Sequence, residues 1–161
     1  MKLFIKNKFF SIGGSSFVTN EAGENVYKVK GKWFSPTRKK IIKDMQGEKL
    51  YKVRNKWFNF FFNKAYIYDA EGEKIAKLTN DGITGLKLVD YPDNITIARG
   101  AFKLKREICK NGECVGYVTR DFSFFRDSFT LEINDNEDIA FFVALVIAID
   151  NIRDKDRNER H

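Results

Sequence analysis

The chain reads as a mainly β protein, an antiparallel closed barrel of about twelve strands around a central hydrophobic C-terminal helix. Three observations predict it. Ile139 to Ile149 is a run of eleven apolar residues in a strongly charged chain, so a helix there has no polar face and must be hidden all round. The run is shorter than the roughly 20 apolar residues a bilayer span needs, which leaves enclosure by protein. A hairpin motif recurs four times upstream of it. Finally the lengths match: a helix of about 15 residues is roughly 22 Å long, and strands of about six residues rise roughly 20 Å.

In chain order, Lys2 to Phe10 is an alternating apolar and basic strand in which a kink or break is expected. The first hairpin is Phe17 to Asn20, a turn at Glu21-Ala22-Gly23-Glu24, and Asn25 to Val29. The second is Ile41 to Asp44, Met45-Gln46-Gly47-Glu48, and Lys49 to Val53; the third is Tyr66 to Asp69, Ala70-Glu71-Gly72-Glu73, and Lys74 to Leu78. A trimmed fourth runs from Glu107 to Lys110, turns at Asn111-Gly112-Glu113 and continues to Val118. Each joins β-branched or aromatic strands by a turn with Gly where φ must be positive. Asp or Asn opens the first three turns, where its side chain can bond the backbone beyond. The first two copies continue into Lys32-Trp33-Phe34 and Lys56-Trp57-Phe58.

Thr84 to Val89, Asn94 to Arg99 after the Tyr91-Pro92-Asp93 turn, and Ser128 to Ile133 supply further strands. Short turns imply antiparallel neighbours. Asn134 to Asp138 offers N-caps and negative charge for a helix over about 137–152. One domain spans 1–153, with a polar tail over 154–161.

The Asp/Asn-x-x-Gly-Glu hairpins, the Lys-Trp-Phe ends, the Lys8-Phe9-Phe10-Ser11 opening and the terminal apolar helix resemble the LURP-one-related proteins across essentially the whole chain. The resemblance implies the tubby C-terminal fold, shared with phospholipid scramblases, and with it an activity of binding phosphoinositide headgroups through basic residues. The shared motifs are structural, so no site residue is carried over from the family. The scramblases' membrane and calcium association is not expected here, because the chain has no spanning tail.

Composition narrows the chemistry. The 16 Phe among 161 residues point to a large, filled interior. The N-terminus lacks the apolar core of a signal peptide, so the default expectation is cytoplasmic, with a peripheral place at a membrane if the ligand is a lipid. Cys109 and Cys114 flank the fourth turn and would face each other; a cross-strand disulfide is conceivable, and a reduced pair is the expectation for a cytosolic chain. The only histidine is His161, which removes the usual base for Ser or Cys nucleophiles and the usual zinc ligand. Ile12-Gly13-Gly14-Ser15-Ser16 is a turn rather than a phosphate loop. Asp135, Glu137 and Asp138 read as helix caps rather than calcium ligands. No enzyme activity, cofactor or metal is expected.

The functional lead is positive charge, a net +7. Period-2 alternation puts Lys28, Lys30 and Lys32 on one face of a strand and Tyr27, Val29, Gly31 and Trp33 on the other. Lys52, Arg54 and Lys56 oppose Tyr51, Val53, Asn55 and Trp57 in the same way, and Arg38, Lys39 and Lys40 lie on the connection between. If the hairpins are neighbours, these residues form a basic outer panel, whose first explanation on any soluble barrel is solubility and the guarding of strand edges. Trp33, Trp57, Phe60-Phe61-Phe62 and Phe124-Phe125 are read as packing on the helix, though three consecutive Phe cannot all point inward. The leading expectation is a binding module for anionic phospholipid or another polyphosphate. Nucleic-acid binding is the alternative suggested by a pI near 9.3 and interleaved aromatics. A protein-interaction scaffold without a small ligand is a third.

Overall fold

The Asp/Asn-x-x-Gly-Glu sequence builds the same turn at each occurrence. Asn20 N–H donates to Glu24 O at 3.0 Å, and Asn20 Oδ1 accepts from Glu24 N–H at 2.9 Å. Asp44 makes the same pair of bonds with Glu48 at 3.0 and 2.8 Å, and Asp69 with Glu73 at 3.0 and 2.8 Å. Gly23, Gly47 and Gly72 stand at φ of 79°, 96° and 99°, where a Cβ would be strained. Beside each turn the register slips, at Val18/Thr19, Ile42/Lys43 and Ile67/Tyr68, a bulge that bends the hairpin. In the fourth copy Asn111 and Gly112 both take positive φ, 53° and 88°, as a two-residue type I′ turn requires.

The computed structural model of the chain describes residues 1–6, 14–31, 37–55, 64–82, 85–99, 105–123 and 126–158; side chains are described at all of these except 99, 122–123, 126–127 and 153–158. The expected roles of Lys8 to Ser11, Lys32 to Phe34, Lys56 to Phe58, Phe60 to Phe62 and Phe124-Phe125 lie outside the described residues. Among the described residues the strands are β1 (Lys2–Lys6), β2 (Ser15–Asn20), β3 (Asn25–Gly31), β4 (Lys40–Lys43), β5 (Lys49–Arg54) and β6 (Ala65–Tyr68). They continue as β7 (Lys74–Asp81), β8 (Gly85–Val89), β9 (Ile95–Arg99), β10 (Lys105–Lys110), β11 (Glu113–Ser123) and β12 (Arg126–Ile133).

Every neighbouring pair is antiparallel, and the order is sequential all the way round. β1 closes the circle, pairing Leu3 with Leu131 of β12 on one side and with Asn20 of β2 on the other. The expected twelve-stranded closed barrel is what the chain forms. Closure removes the free edges that an open sheet would present.

The helix α1 (Ile139–Asn158) fills the lumen. Ala140 to Ile152 are buried throughout, and Leu3, Ile42, Val53, Ile67, Leu78, Ile97, Ile108 and Leu131 of the wall are 0% exposed against them. Each fully buried large aliphatic or Phe side chain contributes about 1.5–3 kcal/mol relative to exposure, so this packing is the main stabilising term. Asp138 caps the helix: its Oδ1 accepts from Phe141 N–H at 3.0 Å. The helix starts two residues later than the expected 137 and runs past the expected end at 152 to Asn158, so the expected tail is helical over 154–158. Its last turns continue because nothing in Arg153 to Asn158 breaks a helix and no Gly or Pro intervenes. Among the described residues no helix is long and apolar enough to cross a membrane.

Candidate functional site

On β3, Val29 is 1% exposed and points into the core, so Lys28 and Lys30 on either side project outward. On β5, Val53 is 0% exposed and Lys52 and Arg54 project outward in the same way. β4 lies between them, pairing Lys28 with Lys43 and Lys30 with Ile41, and then Ile41 with Lys52 and Lys43 with Lys49. Adjacent strands are about 4.8 Å apart, so the outer wall of β3–β5 carries cations at close spacing. Lys28, Lys30, Lys52 and Arg54 are therefore on one wall; Lys32 and Lys56 lie outside the described residues.

Aromatic rings sit among these cations. Phe17 of β2 pairs with Lys28, is 38% exposed, and has the Lys28 ammonium 5.8 Å from its ring centre. Tyr68 of β6 pairs with Lys52, whose ammonium lies 4.4 Å from the ring centre. The Arg54 guanidinium is 5.0 Å from the same ring, and its Nε–H donates to Tyr68 Oη at 3.0 Å. Such contacts hold long flexible side chains in place for about 0.5–1 kcal/mol each.

The mutual repulsion is visible at Lys52. Burial, then Arg54, Lys39 and Lys49 hold its ammonium below the ordinary lysine range, with Asp69 opposing. Lys39, which is exposed, thus belongs electrostatically to the same wall. Lys43 and Lys49, which are not among the residues expected from the sequence, join it as well. Their signal was available, since they flank the second turn at equivalent places of its two strands.

Arg38 and Lys40 do not join the outer panel. Lys40 pairs with Gly31 and Val53, which puts it on the inward set of β4 with Ile42. Its Nζ reaches Asp150 Oδ2 of the helix at 3.3 Å, with side-chain exposures of 14% and 3%. Arg38 turns inward from a left-handed backbone, φ 47°. Its Nη1 donates to Asn151 O at 3.3 Å while its own carbonyl accepts from Asn151 Nδ2 at 3.1 Å. Asn55 Nδ2 donates to the same Asn151 carbonyl at 3.3 Å. A helix that is apolar for most of its length becomes polar at Asp150-Asn151, and the chain must supply partners inside the barrel. Arg38 and Lys40 serve that end of the helix.

Chemistry beyond charge is sparse. Among the described residues no three or more Cys, His, Asp or Glu side chains cluster closely enough to hold a metal ion. At the other end of the helix, Tyr51 Oη donates to Asp138 Oδ2 at 2.5 Å, and burial followed by this bond pushes the phenol upward. Tyr51 and Tyr91 both pack on Phe141, with ring centres 5.8 and 4.6 Å away. These contacts anchor the helix start.

Comparison with known proteins agrees with this architecture. A family model described as LURP-one-related matches residues 1–150. An X-ray structure of a protein from Arabidopsis thaliana superposes with a TM-score of 0.64 at 14% identity, covering 94% of this chain and 91% of that one. At that identity the likeness concerns the fold alone. No curated protein matches the chain.

Proposed function

Because the chain belongs to the LURP-one-related family, a likeness of structural rather than catalytic motifs, we propose that it is a non-catalytic binding module whose ligand is an anionic phospholipid headgroup held on the outer wall of β3–β5. The observation that carries this reading is the row Lys28, Lys43, Lys49, three lysines that partner one another across adjacent strands, the second pair at the bulge beside the turn. Like charges directly opposite in a sheet are destabilising, so solubility alone is better served by alternating signs. A polyanion turns the same repulsion into attraction. Lys30, Lys39, Lys52 and Arg54 extend the row, and each lysine near an anionic surface contributes about 1 kcal/mol. Phe17, exposed at the edge of the row, offers an aromatic ring to the interface.

Co-sedimentation with vesicles tests this. Vesicles of phosphatidylcholine carrying phosphoinositide are expected to retain the protein, and pure phosphatidylcholine is not. Substitution of Lys30 and Lys52 by Glu is expected to abolish retention without unfolding. Negligible binding to both vesicles at low salt would remove the proposal. Equal binding to a random DNA duplex that vanishes by physiological salt would reduce the wall to plain charge attraction.

A further inference from the structure

Cys109 of β10 and Cys114 of β11 are cross-strand partners in the ladder, and both thiols are free. The next pair, Lys110 with Glu113, closes the two-residue turn at Asn111-Gly112. Alternation along an antiparallel ladder then makes the cysteine pair the type without direct backbone bonds, with Cα atoms about 4.5 Å apart and side chains closest. Disulfides span Cα separations of about 4.4–6.8 Å, so the ladder sets the two backbones at the spacing a disulfide needs. The Cys114 thiol, which donates to Gly116 O at 3.8 Å, has only to rotate toward Cys109. The extra residue Val115 bulges here, giving the strand local freedom to adjust.

Access is on one side. Cys114 is exposed and lines an open groove of about 660 Å³ with Met1, Lys2, Glu21, Gly116 and Tyr117, whereas Cys109 is half-buried. We propose that Cys109 and Cys114 form a redox-modification site, a cross-strand dithiol that closes to a reversible intramolecular disulfide by exchange with a small-molecule disulfide such as oxidised glutathione. Cys114, as thiolate, attacks one sulfur of the reagent and releases one glutathione thiolate. Cys109 then loses its proton, attacks the Cys114 sulfur and releases the second. Two protein thiols are oxidised, one disulfide reagent is reduced, and two protons leave. Burial, then Glu107 and Cys114, push the Cys109 thiol upward, which keeps it protonated and leaves the first attack to the exposed Cys114.

The bond has something to act on. The hairpin tip is tied to the turn before β9, with Asn111 N–H donating to Asn94 O at 2.8 Å and Asn111 Oδ1 accepting from Asn94 N–H at 2.9 Å. Lys110 Nζ reaches Glu137 Oε2, just ahead of the helix, at 2.9 Å. Closing the disulfide stiffens the hairpin that steadies this end of the helix. It also withdraws Cys114 from Tyr117, whose phenol its hydrogen bond holds upward.

Equilibration of the full chain with oxidised glutathione, followed by intact-mass analysis, tests the site. The wild type is expected to lose the mass of two hydrogens, to regain it with dithiothreitol, and to ionise Tyr117 at lower pH once oxidised. Cys109→Ser is expected to stop as a glutathione adduct on Cys114. A wild type that keeps stable glutathione adducts, cross-links between chains, or remains a free dithiol in excess reagent would overturn the proposal, and that result stands even if the serine variants fold poorly.

Discussion

Lys40 and Asp150 face each other inside the barrel, the ammonium 3.3 Å from the carboxylate of a helix that is otherwise apolar from Ile139 to Ile149. Removing either partner leaves a charge in a low-dielectric interior, which typically costs about 3–5 kcal/mol. Lys40→Met alone and Asp150→Leu alone are therefore expected to lower the urea midpoint strongly, and the double variant to recover much of the loss. Independent, additive losses would show that the two side chains do not act as a pair.

At the opposite end, the helix start is held by the Asp138 cap and by Tyr51. Asp138→Ala removes the cap and is expected to cost about 1–2 kcal/mol. The tyrosines add a pH signature. Burial pushes Tyr27, Tyr51 and Tyr91 above their ordinary value of 10.0, with Asp138 adding to the shift of each and also accepting the Tyr51 bond. A folded-state phenol that holds its proton more tightly than the unfolded one stabilises the fold fully below pH 10, and that contribution declines as pH rises from there toward the folded value. Ultraviolet titration should show these phenols resisting ionisation at pH 10, and urea midpoints should fall above it. Normal ionisation of all six tyrosines in the native state would contradict the burial of this end.

In mid-helix, Leu145 is 0% exposed and belongs to the apolar core cluster. Leu145→Ala is expected to destabilise by about 2–5 kcal/mol, whereas Met45→Ala at an exposed turn should stay within about 0.5 kcal/mol. Comparable effects at the two positions would mean that the helix is not the centre of the core.

The features that alternation and repetition control were legible beforehand. Val29 and Val53 face in and Lys30 and Lys52 face out because strand parity is unambiguous where apolar and charged residues alternate. Lys40 escaped because Ile41-Ile42 puts two apolar residues side by side, so the parity of β4 has two solutions. Pairing of Ile42 with Val29 and Tyr51 selects the one that sends Lys40 inward. Arg106 and Arg120 escaped for a related reason: they share the inward face with Ile108 and Val118 and are 8% and 6% exposed, against the rule that charges face out. Gly116 looked like an ordinary strand position. A Cβ there would clash with Glu132 O, a constraint that exists only once β11 and β12 are packed. Gly116→Ala is accordingly expected to destabilise by about 1–3 kcal/mol by forcing these strands apart, read as faster amide exchange along both.

The basic wall sets stability against recognition, and the two can be separated at Lys43. It stands between Lys28 and Lys49, so replacing it by Glu turns two repulsive cross-strand pairs into attractive ones. Each such pair contributes about 0.2–1 kcal/mol, against which Lys43 gives up one exposed hydrogen bond, its Nζ donating to Gly47 O at 2.8 Å. Lys43→Glu is thus expected to raise the urea midpoint at low salt and to lose that advantage as salt screens the charges. The same variant should bind phosphoinositide vesicles more weakly than the wild type. A variant that is both less stable at low salt and unchanged in vesicle binding would mean that the lysine row neither repels internally nor meets a polyanion, and the proposed face would have no role.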